Sequence, residues 1–275
     1  MKVDEIPTTG PRTAGGIARA RIAAGSDLIL VAGGDGTVNE TLEGMVHSHT
    51  PLGVIPAGTA NVYAHEIGLH SNVENAVRDL HDLEPTRISL GVRLGPNQPP
   101  KLFMLMAGAG LDAYIVYNVN TDLKARVGKI AYWLAGFGQV GKRLQEFDVK
   151  IDGRTLRASF ALISRVRNYG GDLEIARSVS LLDDKFEVVL FEGINSFRYL
   201  LYFGGVLLNR LPQTKGATVL RASKIELTNM PGAMTWVQID GETAGELPAT
   251  IEIVPDALTV LLPKRYIDKS RKAAR

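Results

Sequence analysis

Apolar and polar positions change rhythm once along this chain, near residue 85. Before that point, short apolar runs alternate with segments whose apolar residues recur at helical spacing. Residues 14–24, rich in alanine and arginine, read as a helix, and 28–32 read as a buried strand. Val38, Leu42, Met45 and Val46 then recur every few positions, which predicts a helix over 37–47. A second strand follows at 52–55, then helices at 62–67 and 72–83. Strands alternating with helices imply a mostly parallel sheet covered on both faces. Ligands of such sheets bind at the carboxyl ends of the strands. The small-residue turns at 33–37 and 58–61 both fall there.

Beyond residue 85 the pattern turns to strands, at 87–94, 102–107, 147–151, 158–163, 186–191, 224–228, 236–239, 250–253 and 258–262. Short turns such as Asp152-Gly153-Arg154 join several of them. This predicts an antiparallel sandwich, interrupted by helices at 112–118, 125–144 and 197–209. The fold class expected is α/β: an N-terminal parallel-sheet domain over 1–88, then a C-terminal antiparallel β-sandwich domain with helices over 89–263. Residues 264–275, with Lys264, Arg265, Lys269, Arg271, Lys272 and Arg275, read as a solvated basic tail. Residues 197–208 are apolar on nearly every side, which predicts a buried helix ahead of a lipid-contact surface.

The first turn carries the sharpest chemistry. Gly33-Gly34-Asp35-Gly36-Thr37-Val38-Asn39-Glu40 runs from a strand into a helix. Backbone N–H groups at the positive end of that helix suit a phosphate, and glycines let it come close. Asp35 brings a carboxylate to the same spot. It would repel phosphate unless Mg²⁺ lies between them or a proton is to be taken up. Phosphoryl transfer is the reaction class this points to. A turn aspartate bonding its own loop is the plainer alternative, and Asn39 and Glu40 are ordinary in a first helical turn.

Composition narrows the setting. The apolar share of 45% over 275 residues permits full cores, and the formal charge of +2 asks for no polyanionic partner. No nucleic-acid partner is expected. The chain has no cysteine, which excludes disulfides, zinc–thiolate sites and thiol catalysis and agrees with a reducing cytoplasm. The opening residues lack the apolar core of a signal peptide, and no stretch approaches the ~20 apolar residues of a membrane span. The location expected is cytoplasmic, peripheral at a membrane at most. The five histidines show no metal-ligand spacing.

Several segments, in order, resemble the catalytic domain shared by diacylglycerol kinases, sphingosine kinases and bacterial lipid kinases. They are the glycine turn from Gly33 to Glu40, Gly58-Thr59-Ala60-Asn61, Gly108-Ala109-Gly110-Leu111-Asp112-Ala113, Asn168-Tyr169-Gly170-Gly171, Leu181-Leu182-Asp183-Asp184-Lys185-Phe186 and Asp240-Gly241-Glu242. The resemblance implies ATP and Mg²⁺ as cofactors and a lipid alcohol as acceptor, with transient contact to a membrane surface. A second copy of the chain is a further candidate partner. Thr8, Gly33, Gly34, Asp35, Gly36, Thr37, Val38, Asn39, Glu40, Gly58, Thr59 and Asn61 would hold the nucleotide. Glu242 is the implied proton acceptor, with Asp240 beside the metal or the attacking group. Asp112 would lie near the acceptor lipid. Asp184, with the carbonyls of Leu181 and Phe186, would hold a second, structural Mg²⁺.

The resemblance also marks departures. The family's first strand and Asn-Pro-x-x-Gly loop precede the Thr8 region, so a core strand and part of the nucleotide pocket are expected to be missing. Lys185 stands where the family often has glycine, and Arg177 where it often has proline. Plainer readings remain beside the functional ones: Asp240-Gly241 as a hairpin turn, Asp112 as a helix cap and Asp184 as a solvated turn residue. Two carboxylates on one strand face would share a metal or proton. A NAD-kinase-like enzyme and a non-catalytic nucleotide- or lipid-binding protein are the alternative functions.

Overall fold

The structure, a computed structural model, describes residues 2–70, 72–96, 98–118, 143–169 and 173–273. The helix expected over 125–144 lies outside the described residues except for its last two positions. So do Lys124, Arg126, Lys129 and Lys142 and the glycines Gly170 and Gly171. The chain divides into two compact units, residues 1–89 with 255–275, and residues 90–254.

In the first unit, β1 (Ile29–Gly33) and β2 (Leu52–Pro56) pair in parallel, Ile29 opposite Leu52 through Gly33 opposite Pro56. The C-terminal part of β16 (Ala249–Pro263) continues the sheet, with Val260 opposite Leu52, again parallel. Helices α1 (Ala14–Ala23), α2 (Asp35–Glu43), α3 (Val62–Ile67) and α4 (Val73–Asp79) connect and flank these strands. Val38, Leu42 and Met45 are buried, as their spacing demands. A Cβ at Gly15 would sit 2.6 Å from the Glu40 carbonyl oxygen, so α1 reaches α2 only through glycine.

Residues 264–275 are not a free tail. They begin with a helix, α7 (Lys264–Ala273), which belongs to the first unit and buries Tyr266 and Ile267. The Tyr266 hydroxyl donates to Glu66 Oε1 at 2.9 Å. Two adjacent apolar residues among many charges were enough to fix one helix face.

The second unit holds two antiparallel sheets. One runs β16–β13–β6–β7, with β13 (Lys224–Asn229), β6 (Phe147–Ile151) and β7 (Arg154–Ala158), and includes the pairing of β3 (Leu83–Gly95) with β4 (Gln98–Phe103). The other runs β12–β11–β8–β5–β14–β15, from Ala217–Ala222, Phe186–Phe191, Phe160–Ser164, Met106–Gly110, Trp236–Ile239 and Glu242–Glu246 respectively. A small ribbon pairs β9 (Asn168–Tyr169) with β10 (Leu173–Glu174). Val149, Ile151, Ile225 and Ile251 from the first sheet share one core with Ala107, Ile163, Val188, Val237 and Ile239 from the second. The expected sandwich is therefore present.

Three strand expectations change. The strand expected over 102–107 breaks between Phe103 and Met106, where side-chain hydrogen bonds take the N–H groups a ladder would use. The two strands expected at 250–253 and 258–262 are one, β16, with Asp256 at φ 49 inside it. Strands β7, β12 and β15 carry too many polar residues to stand out in the sequence.

The helix expected over 197–209 is α6 (Arg198–Leu207), and it is not buried all round. Tyr202 and Val206 face the core, while Phe197, Leu200, Leu201, Leu207 and Leu208 are 48–71% exposed. Among the described residues no helix is long and apolar enough to cross a membrane. Replacing Tyr266 with Phe removes one donor from buried Glu66 and is expected to lower unfolding free energy by ~1 kcal/mol in urea titrations. Lys272→Ala, on the exposed side of α7, is expected to leave it unchanged.

Candidate active site

The glycine turn is tighter than its sequence suggests. β1 ends at Gly33, Gly34 is the N-cap and α2 begins at Asp35, two residues before the expected start. The N–H groups of Asp35, Gly36 and Thr37 thus lie in the first turn, where no intrahelical acceptor exists. Gly34 also meets the second turn. A Cβ on Gly34 would lie 3.2 Å from the Gly58 Cα, and one on Gly58 only 2.5 Å from the Gly34 Cα. The Asn61 side chain closes that second turn, its Oδ1 accepting from Gly58 N at 2.9 Å and its Nδ2 donating to Gly58 O at 2.8 Å.

Asp35 does a different job from the one expected. Its Oδ2 accepts from Val62 N at 3.0 Å and its Oδ1 from Tyr63 N at 3.1 Å. The carboxylate therefore caps α3 and ties the two glycine turns together. It has backbone amides as partners in the fold itself. Asn39 is 4% exposed, Val38 is buried, and Asn39 Oδ1 has no partner among the described residues. Those two side chains support α2 from beneath, while Gly58 and Thr59 are exposed. Thr8 is exposed in the segment before α1, which has no regular structure.

In the second unit, Asp240 and Gly241 form the two-residue turn between β14 and β15, with φ of 48° and 79°. Both positive values match the primed turn that tight hairpins require. The Asp240 carboxylate accepts from three successive N–H groups, Met104 at 3.0 Å, Leu105 at 3.1 Å and Met106 at 2.8 Å. Glu242 leads into β15 instead, half exposed, with Oε2 3.0 Å from Lys101 Nζ. The two carboxylates engage different partners rather than sharing one proton or metal. Glu242 is the one that faces solvent.

Asp112 is fully buried at the start of α5 (Leu111–Asn118). It accepts a hydrogen bond from the Tyr169 hydroxyl, and its Oδ2 accepts from Gln238 Nε2 at 2.7 Å. Gln238 Oε1 in turn accepts from Gly241 N at 2.8 Å. Asp112 thus braces the Asp240–Glu242 hairpin from behind through Gln238, and it is not exposed for a substrate to touch.

The residues expected to hold a structural Mg²⁺ do not fit that ion. The Leu181 carbonyl accepts from Arg165 Nη2 at 2.8 Å, and the Asp183 carbonyl from Nη1 at 3.3 Å. A Mg²⁺ ion ~2.1 Å from the Leu181 oxygen would crowd a buried guanidinium of like charge. Asp184, the one side chain in the expected set, lies exposed in the turn.

Sequence reasoning missed Lys101, Gln238 and Arg165. Gln238 left a trace, as a polar residue between Val237 and Ile239 in an otherwise apolar strand. Lys101 and Arg165 left none, because their partners are remote in sequence. Asp240→Ala strips the acceptor from three successive N–H groups, and it is expected to cost about 3 kcal/mol or more, read as a lower urea midpoint. Asp240→Asn, with one acceptor oxygen left, is expected to fall between.

Residues 1–92 match the family described as diacylglycerol kinase catalytic domain, and residues 106–262 match the one described as YegS C-terminal NAD kinase beta sandwich-like domain. A protein named diacylglycerol kinase from Mycobacterium tuberculosis is 29% identical over 250 residues, covering 89% of this chain and 80% of that protein. One of the same name from Bacillus subtilis is 27% identical over 249 residues, covering 88% and 80%. The fold is that of a diacylglycerol kinase crystal structure from Bacillus anthracis, with a TM-score of 0.75 at 22% identity over 94% of this chain and 85% of that one. With both domain descriptions matched in order over most of its length, the chain belongs to the diacylglycerol kinase catalytic-domain family, carrying the YegS-type C-terminal sandwich.

Proposed function

We propose that this protein is an ATP-dependent lipid kinase that moves the γ-phosphoryl group of ATP onto the hydroxyl of a diacylglycerol-like lipid. The observation that carries the reading is the first turn of α2. Its N–H groups at Asp35, Gly36 and Thr37 sit beside the Gly34–Gly58 approach, an arrangement that suits a phosphate. The exposed Gly58 and Thr59 would line the nucleotide phosphates from the second turn. Mg²⁺ would arrive on those phosphates and neutralise their charge. Asp35 and Asp240 both engage backbone amides, which makes their own contribution one of positioning.

Glu242, the acid to which the family resemblance gives this role, is the group proposed to take the acceptor proton. Its carboxylate is half exposed and held by Lys101, while the hairpin beneath it is pinned by Asp240 and Gln238. As the lipid oxygen attacks the γ-phosphorus, its proton passes to the Glu242 carboxylate and ADP leaves. Such a base contributes roughly 10²–10⁴-fold, the rest coming from orientation and charge stabilisation. Helix α6 favours a lipid over a soluble acceptor. Five large apolar side chains, Phe197, Leu200, Leu201, Leu207 and Leu208, stand exposed on or next to it. Arg198, Arg210 and Lys215 follow in the same segment and would meet anionic headgroups, beside the single exposed acid Glu192 that precedes it.

Transfer of labelled γ-phosphate to diacylglycerol in mixed micelles is the direct assay, with NAD and sugars as soluble acceptors in parallel. Lipid labelling is expected, and labelling of a soluble acceptor alone would instead make this a NAD-kinase-like enzyme. Glu242→Gln is expected to cut kcat by ~10²-fold or more with ATP binding intact in calorimetry. ATP binding without turnover in the unaltered protein would identify a non-catalytic binder. Leu201→Glu with Leu208→Glu is expected to weaken sedimentation with phosphatidylglycerol vesicles by about tenfold or more. Turnover of a short-chain, water-soluble diacylglycerol should survive that change.

A further inference from the structure

The turn that leads into β11 has a cation already. Arg165 follows β8, is fully buried, and extends its guanidinium to the carbonyls of Leu181 at 2.8 Å and Asp183 at 3.3 Å. Of the implied ligand set the guanidinium takes the Leu181 oxygen, and it brings one positive charge where a divalent ion would bring two. We propose that the Arg165 guanidinium takes the place of the structural divalent cation in this turn, so that residues 180–186 fold without metal.

The surrounding charges agree with that assignment. Arg221 Nη2 lies 2.6 Å from Asp183 Oδ2, and Arg221 Nη1 donates to the Ser178 carbonyl at 3.1 Å. Asp183 Oδ2 also accepts from Ser180 N at 3.1 Å. Its carboxylate therefore has no need of a metal. Lys185 follows Asp184 directly and adds a third basic side chain to the turn. The remaining acid, Glu187, is 3% exposed and accepts from Arg177 N at 3.1 Å and Ser178 N at 2.5 Å. Burial raises its carboxyl above the usual range, with those N–H groups and Arg221 pulling the other way. Three acids in this stretch, Asp183, Asp184 and Glu187, thus stand among three basic side chains.

Geometry explains why arginine can do this and lysine could not do it equally well. A guanidinium is planar and presents several N–H groups in a fixed fork, so one side chain reaches two carbonyls about two residues apart. A divalent ion draws its ligands into a shell around one point. The fork instead spans them, and its stem packs like any buried aliphatic chain. The turn delivers Phe186 to the core, where its ring stacks on Phe103 with centroids 5.7 Å apart. Holding the turn therefore holds the start of β11.

The test reads metal and stability without nucleotide, so it stands or falls apart from the kinase assignment. The full chain is treated with EDTA, dialysed and titrated with Mg²⁺ and with Mn²⁺ alone. Elemental analysis is expected to find no stoichiometric divalent ion. The thermal midpoint is expected to move by less than about 2 °C on adding either ion at millimolar concentration. One retained ion per chain, or a rise of several degrees saturating at one equivalent of Mn²⁺, overturns the proposal. Arg165→Gln is expected to lower the midpoint by roughly 5 °C or more, with Arg165→Lys recovering only part. An Arg165→Gln protein as stable as the parent overturns the proposal too. Should that variant not fold, the metal measurement on the parent protein still decides.

Discussion

The grip of the Asp240 carboxylate on three successive backbone N–H groups is the interaction on which the candidate catalytic hairpin depends. A charged acceptor with two oxygens can hold Met104, Leu105 and Met106 only if the chain turns there, so β4 and β5 separate at that point. The same residue turns the hairpin between β14 and β15, with its own backbone at φ 48°. One side chain thus sets two turns at once, and Glu242 emerges from them in a fixed direction toward Lys101. Gln238 adds a second anchor by linking the hairpin to buried Asp112. The position of Glu242 thus depends on two acids that grip neighbouring groups of the fold.

Asp35 repeats the device in the other unit. Its carboxylate caps α3 through Val62 and Tyr63, and the two glycine turns are held against each other as a result. Helix caps of this kind use the positive end of one helix to neutralise an acid that stands at the start of another. The benefit for a phosphate site is electrical. An unpaired carboxylate would oppose the incoming charge, whereas a capped one leaves the N–H groups of the first turn of α2 as the dominant field.

How much of this the sequence revealed follows from the range of each interaction. Periodicity located α1, α3, β6, β11 and β14 closely, because burial on one face leaves a local pattern. The strand–turn–helix geometry of the glycine turn was legible for the same reason, since its three parts are adjacent. Strands β7, β12 and β15 were missed because their exposed residues hide the alternation. The roles of Asp35, Asp112 and Asp240 were not legible, since each is decided by partners 27 to 136 positions away. A motif identified these acids as important without saying whether they touch substrate or hold backbone.

Helix α6 shows the reverse error and its cause. A helix apolar on nearly every side is expected to be buried, yet α6 buries Tyr202, Gly205 and Val206 and packs Tyr199 against the same core. The inner face is spoken for by aromatic stacking, with Tyr202 on Phe191 at 4.4 Å and Tyr199 set edge-on to both. Nothing in that packing calls for leucine at 200, 201, 207 and 208, and leucine in water is unfavourable by about 1.5–3 kcal/mol per side chain relative to burial. Selection for stability alone would place polar residues there. Apolar residues on the outer face therefore support the proposed contact with an apolar surface, with basic Arg198 and acidic Glu192 both close to the inner face. An enzyme whose acceptor resides in a bilayer gains from such a face, because partition onto the membrane raises the acceptor concentration without altering a single catalytic contact.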